Sequence, residues 1–396
     1  MTLLNDIIPN ISREEEYLLC YARTVMTGPA RARIERLIAQ PLDWHRIDEL
    51  AARHRVRPLL YKHLKVDARR PEIPADIWTK IENHAIWTVG RNLAQTNELV
   101  RIVKLLRSED IPALPFKGPV LGSRFYGNIG LREFFDLDFL VHREDILRAK
   151  SVLLRDGFTS PDSQNGAFEA EHIDAQLGCD FVSANGKVRL ELHWSFIQKW
   201  LTYRVDLEGI WKRATYRDIA GAPMRTIGSE DLLPYLCAHG AKHHWERLFW
   251  IVDIAEFVRA EQNLDWKAVL DSAERDGNWR VLALGLYLAY GLLDAPVPRD
   301  VLARISTFDI NQLADTVGTW LFNEENRPST GDLEETRFYL KAKERVTDRL
   351  AYTSHLIKLT MAPSEKDHEF LQIPSPLKFL YPAIRPIRWL AQRKKD

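Results

Sequence analysis

Asp136 and Asp138 sit one residue apart in Phe134-Phe135-Asp136-Leu137-Asp138-Phe139-Leu140-Val141, a stretch that is otherwise apolar. In a strand, successive side chains alternate between faces. The two carboxylates therefore share one face, and Phe135, Leu137, Phe139 and Val141 share the other. Adjacent carboxylates repel each other unless a cation lies between them. Mg²⁺ is the usual cation for oxygen ligands that also hold a phosphate. A third carboxylate, Glu191, falls in residues 188–196. There Val188, Leu190, Leu192 and Trp194 form one face, and Arg189, Glu191 and His193 form the other. Ahead of the pair comes Lys117-Gly118-Pro119. Glycine lets backbone approach a phosphate, a following helix start favours an anion, and Lys117 adds a point charge. An isolated Asp-x-Asp is a weak signal, because most such pairs are solvated loop or cap residues. The apolar strand, the Lys-Gly turn and Glu191 together strengthen it.

These residues need elements to hold them. Ile111-Pro-Ala-Leu-Pro-Phe116 reads as a short strand. Proline fits the first turn of a helix, so residues 120–126 are expected to be helical. The double-Asp strand follows, then a helix over 144–155 stopped by Gly157. Asn185-Gly186 is a strong hairpin signal between arms at 172–183 and 188–196. Strand, helix, strand, helix and hairpin predict a small mixed sheet with helices. Apolar residues at helical spacing predict helices through 12–108, including one over 92–107. Beyond 216 the chain reads as helical again, with Ser229 or Gly228 as a cap, a continuous helix over 239–260, and a longer amphipathic segment over 332–360. The fold expected is α+β. Its domains are an N-terminal helical region (1–108), an α/β core (109–215), a C-terminal helical domain (216–310), and a helical extension with a basic, proline-rich and aromatic tail (311–396).

Composition excludes several classes. At 396 residues and 45% hydrophobic content, the chain is long enough and apolar enough for an ordinary multi-domain globular protein. Lys and Arg total 55, as do Asp and Glu, so there is no basic excess of the kind expected for long nucleic acids. Cys20, Cys179 and Cys237 make neither a zinc spacing nor a disulfide framework, which fits a reducing cytoplasm. The first residues lack a basic n-region and carry Asp6 and Pro9, so no signal peptide is expected. No apolar run is long enough to span a bilayer.

Phe116-Lys117-Gly118, Leu121, Tyr126, Gly130-Leu131-Arg132 and Asp136-Leu137-Asp138-Phe139-Leu140-Val141 resemble the uncharacterised nucleotidyltransferases, a branch of the polymerase-β-like nucleotidyltransferase superfamily. The resemblance extends to Leu42-Asp43-Trp44, His54-Arg55-Val56, Leu59-Leu60-Tyr61 and Glu191-Leu192-His193-Trp194. It continues through His239-Gly240, His243, Trp245-Glu246-Arg247-Leu248, Trp250 and Asp253. It covers most of residues 40–300. It implies that Asp136, Asp138 and Glu191 bind two Mg²⁺ (or Mn²⁺) ions and an NTP. A nucleoside monophosphate would pass to an acceptor that the sequence does not identify. Superfamily members carry Gly-Gly or Gly-Ser where this chain has Lys117-Gly118-Pro119, so a phosphate-binding hydroxyl is missing.

Other residues carry two readings each. Arg132 can touch phosphate or serve as a structural arginine. His193 can bind substrate, orient Glu191, or be a satisfied histidine. His239, Lys242 and His243 share one helix face. Zinc would lack a third ligand there, and lining of the nucleotide or acceptor pocket is the preferred role. Asp253, among apolar neighbours, needs a partner; Arg247 is a candidate, and this structural reading is preferred over a catalytic one. The tail from Leu377 to Lys395 mixes aromatics and cations that could meet a membrane surface or a partner, but its prolines break any long helix, and docking on the chain's own surface, or disorder, is the preferred reading. Two rival functions stand beside nucleotidyl transfer: a non-catalytic nucleotide-binding module and a metal-dependent glycosyltransferase.

Overall fold

The computed structural model describes residues 3–67, 72–160, 177–196, 203–307, 310–323 and 332–361, with Phe370, Leu371, Ile373, Tyr381 and Ile384 beyond them. The start of the expected hairpin arm, 172–176, and nearly all of the tail after Pro374 lie outside the described residues.

The centre is a four-stranded mixed sheet. Its strands are β1 (Ala113–Pro115), β2 (Asp136–Val141), β3 (Gly178–Val182) and β4 (Arg189–His193), in the order β1-β2-β4-β3. β2 and β4 run parallel, and the two outer pairings are antiparallel. The fold is α+β, with helices on both sides of a small sheet. The register sets Asp138 directly opposite Glu191. The Asn185-Gly186 turn joins β3 to β4, with Gly186 at φ +69°.

The period of two sorts the sheet faces. Leu137, Phe139, Val141, Leu190, Leu192, Cys179 and Phe181 are all buried on one face. They pack with Leu99, Ile102 and Leu106 of the long helix Ala75–Ser108, and with Ile146, Val152 and Leu153 of the helix Ile146–Arg155. The expected helix over 92–107 is the last half of that long helix. A second apolar core runs through the N-terminal and C-terminal helices together, from Leu4 and Tyr17 through Trp245 and Trp279 to Trp320 and Tyr352. Arg23, fully buried, pairs with Asp294 at 2.6 Å, and Thr24 hydrogen-bonds Glu256.

Three expectations need correction. Residues 215–226 are not helical. They form a β-hairpin of β5 (Thr215–Ile219) and β6 (Ala222–Thr226). Its turn is Ala220-Gly221, with both residues at positive φ. Alanine rarely takes that conformation, so the sequence carried no ordinary turn signal. Thr226 Oγ1 donates to the Pro115 carbonyl at 2.6 Å and ties this hairpin to β1. Nor is 239–260 one helix. One helix spans Ser229–Lys242, and a second spans Leu248–Ala260. Between them His244 and Trp245 take positive φ, and the Trp245 ring lies where a Cβ on Gly240 would stand. Glycine at 240 is what lets the chain fold back on itself. The segment over 332–360 is likewise two helices, Leu333–Ala342 and Val346–Met361.

Candidate active site

The polar face of β2 and β4 opens on a cleft of about 660 Å³. Asp136, Glu191, His193, Lys117, Gly118 and Arg132 line it from the sheet side, and His239, Lys242 and His243 line it from the helix Ser229–Lys242. Asp138, 2% exposed, lies behind this lining and is bonded to Lys117. The ten site residues expected from the sequence thus gather in one place, although they span residues 117–243.

Each is held by a local cause. Phe116 N–H donates to the Asp138 carbonyl at 3.3 Å, which sets the residue before Lys117 against β2. Gly118 turns with φ +48° and ψ −119°, and a Cβ there would lie 3.0 Å from the Asp136 carbonyl. That turn drives Lys117 toward the strand. Its Nζ donates to Asp138 Oδ1 at 2.8 Å, between the rings of Phe116 and Tyr235. His193 Nε2 lies 3.2 Å from Asp138 Oδ1 and 3.2 Å from Glu191 Oε2.

Burial raises the cost of every charge here, and the neighbours decide which charges persist. Burial pulls Lys117 down, but Asp138, Tyr235 and Asp136 outweigh it and hold its pKa above the ordinary value. Burial would raise Asp138, but the Lys117 charge and the His193 hydrogen bond keep its carboxyl below the usual range. Asp136 is pushed up to about 6 by burial and by the Asp138 charge. Burial lowers His193, yet its hydrogen bonds to Asp138 and Glu191 leave its pKa raised. On the facing helix, burial and the charges of Lys242 and Lys117 bring His243 down to about 3. His239 is driven well below its ordinary value by burial and by Lys117.

The donor set suits a cation. Asp138 Oδ2 is buried and has no hydrogen-bond partner among the described residues. Asp138, Glu191 and His193 offer donor atoms that lie within 4.8 Å of one another. Two carboxylates and an imidazole, one carboxylate with a buried unpartnered oxygen, fit a divalent metal. Among the described residues Asp136 stands outside that cluster, and His193 takes the place expected for it.

Some assignments shift. Asp253 is 2% exposed, and its partner is Arg132, not Arg247. Arg132 Nε and Nη2 donate to its two oxygens at 2.7 and 2.8 Å, and Tyr126 Oη donates at 2.6 Å. Arg247 instead donates to the Arg53 carbonyl. The arginine read as a phosphate contact thus spends its fork on a buried carboxylate while still lining the cleft. Sequence reasoning passed over Arg55. It lies at the cleft with φ +57°, and its guanidinium faces the Phe135 and Phe249 rings. His54 fixes this corner, because its Nδ1 accepts the Leu248 N–H at 3.0 Å. Aromatic rings of Phe134, Phe196, Tyr235, Phe249 and Trp250 complete the lining, with Trp250 stacked on His243.

A family model described as an uncharacterised nucleotidyltransferase matches residues 40–294, well over half of the chain. The chain belongs to that family. The matched segment contains the whole sheet, the cleft and every residue named above as lining it. No curated protein matches the chain. Membership supports nucleotidyl transfer as the chemistry. No helix among the described residues is long and apolar enough to cross a membrane.

Proposed function

We propose that this protein transfers a nucleoside monophosphate from an NTP to a small-molecule, peptide or protein acceptor and releases pyrophosphate, with Mg²⁺ at Asp138. The observation that carries this reading is the orphaned, buried Asp138 Oδ2 beside Glu191 and His193, inside the segment matched by the family. Bound there, Mg²⁺ or Mn²⁺ supplies Lewis-acid charge to the phosphates and lowers the pKa of an acceptor hydroxyl.

The chain's own residues do the rest. Lys117, Arg55 and Lys242 bring positive charge to the triphosphate. Among the described residues neither Arg55 nor Lys242 makes an ion pair, so both are available. His239 and His243 stay neutral and can donate or accept hydrogen bonds. Trp250, Phe249 and Tyr235 offer flat apolar faces to a base. The acceptor oxygen attacks the α-phosphorus, the bond to the β-phosphate oxygen breaks, and pyrophosphate leaves with the electron pair. Asp136, with its carboxyl raised and without a side-chain hydrogen bond among the described residues, is placed to take the acceptor's proton. The fixed charges act by positioning and neutralisation.

A non-catalytic nucleotide-binding role is the second reading, favoured by one observation: Lys117, in the turn that replaces Gly-Ser, is tied to Asp138. Calorimetry of NTP–Mg²⁺ on wild type and Asp138→Ala, with pyrophosphate release over an acceptor panel, separates the cases. Equal binding by both proteins removes the site assignment. Tight wild-type binding without pyrophosphate selects the second reading.

A further inference from the structure

We infer that this site works with one metal ion, held by Asp138, Glu191 and His193, and that the Lys117 ammonium occupies the place of a second. The inference rests on the nucleotidyl-transfer reading and revises its metal count. Two cations are needed on the carboxylate face if both the attacking and the leaving oxygen are to be neutralised. Asp138 is the buried carboxylate of the set. One of its oxygens, Oδ1, already carries the Lys117 Nζ at 2.8 Å, and the other, Oδ2, is buried and unpartnered among the described residues. One oxygen is therefore spoken for by a cation built into the chain, and one is open to an ion.

Lys117 is poorly placed to step aside. Its side chain is 13% exposed and lies against the Phe116 and Tyr235 rings. Its backbone is set by the Gly118 turn pressed on the Asp136 carbonyl. A second ion would have to displace a buried ammonium from a buried carboxylate and leave it without a partner, which is strongly unfavourable. The cluster within 4.8 Å contains His193, whose Nε2 approaches Asp138 Oδ1, and leaves out Asp136. That composition describes one mixed nitrogen–oxygen site, not two oxygen sites bridged by an Asp pair. The group transfer is unchanged: the acceptor oxygen bonds to the α-phosphorus, the bond to the β-phosphate oxygen breaks with its electrons, and the acceptor proton passes to Asp136. Lys117 adds charge to the phosphates throughout and needs no ion to bring it.

Electron paramagnetic resonance of Mn²⁺ tests this in the full-length chain saturated with an NTP analogue non-hydrolysable at the α–β bridge. Wild type is expected to give a mononuclear Mn²⁺ spectrum with a ¹⁴N coupling, and His193→Gln to lose that coupling. Lys117→Met is expected to admit a second ion and show a spin-coupled pair, while Lys117→Arg stays mononuclear. A spin-coupled pair in wild type overturns the inference even if the Lys117 variants fail to fold. A mononuclear spectrum from folded, analogue-bound Lys117→Met overturns it too. Calorimetry keeps the two claims apart. No analogue binding by wild type removes the nucleotidyl-transfer reading, whereas analogue binding with two coupled ions leaves that reading standing and removes only this one.

Discussion

Arg55 reaches the cleft with its guanidinium over two aromatic rings and without an ion pair among the described residues. Arginine presents a planar fork of donors that suits phosphate oxygens. Asp136 lies close enough to influence its charge, and burial lowers its pKa, yet it remains cationic at any physiological pH. Arg55→Ala is expected to raise the KM for NTP by about 10- to 100-fold, the range of a lost charge-assisted hydrogen bond of roughly 1.5–3 kcal/mol. Its kcat is expected to change far less, because the interaction is made to bound substrate and transition state alike. Steady-state kinetics of pyrophosphate release gives both numbers, and a fall in kcat at constant KM would place Arg55 in the chemical step instead. Arg132 differs, since its fork is committed to Asp253. Removing either member of that pair strands a buried charge.

At the scale of elements, the strand-to-helix turn at Lys117-Gly118-Pro119 positions the cation that pairs with Asp138. Gly118 has a backbone conformation that side-chain-bearing residues rarely adopt, and the space for a Cβ is closed by the Asp136 carbonyl. Gly118→Ala is expected to cost about 1–3 kcal/mol of stability. It should also move Lys117 off Asp138, so that Mg²⁺-dependent nucleotide binding weakens more than stability alone accounts for. Urea denaturation and calorimetry on one preparation measure both, and unchanged binding in a destabilised variant would uncouple turn from site. The fold-back between the helices Ser229–Lys242 and Leu248–Ala260 places His239, Lys242 and His243 opposite the sheet. Without the Gly240–Trp245 contact that face would continue past the cleft.

Over the whole molecule, packing and titration both reach beyond the site. The family match ends at residues 40 and 294, but the core does not. Tyr17, Cys20, Tyr21 and Arg23 are buried among the C-terminal helices' partners, and Arg23 neutralises Asp294 from inside the core. A fragment of residues 40–294 is expected to lack a cooperative thermal transition, since it loses that pair and the apolar surface of three N-terminal helices. A sharp calorimetric peak from the fragment would show the outer segments to be dispensable. Proton binding supplies a second whole-molecule test. His239, His243 and His244 are partly buried and their pKa values are lowered by desolvation, that of His243 to about 3 and that of His244 to about 4. The unfolded chain takes up these protons below its ordinary histidine pKa of about 6.5 while the folded chain does not, so their contribution to stability falls as pH drops below that value. His193 and Asp136, both raised, work in the opposite direction over part of the same range. His244 lies outside the cleft, so His244→Gln isolates one proton. Its stability should fall less steeply between pH 6.5 and 4.5, by about 1.4 kcal/mol per pH unit. Denaturation series at stepped pH measure the slope, and parallel curves for variant and wild type would refute the assignment.

The sequence by itself determined the sheet and its polar face. Alternation in residues 134–141 and 188–194 is a local property, with a period of two that survives any tertiary arrangement, so Asp136, Asp138, Glu191 and His193 could be assigned to a face without coordinates. The Asn185-Gly186 turn and most helices were legible for the same reason. The β5–β6 hairpin was not, because Ala220-Gly221 takes positive φ under constraints that come from outside the turn. The break after Lys242 was hidden too, since it depends on a tryptophan ring meeting a glycine. Tertiary structure alone decided which charges meet. Asp253 found Arg132 across 121 residues and not Arg247 six residues away. Arg55 joined the cleft through the His54–Leu248 contact, and Lys117 closed on Asp138. Pairings of this kind follow from distances between elements, and no local pattern encodes those.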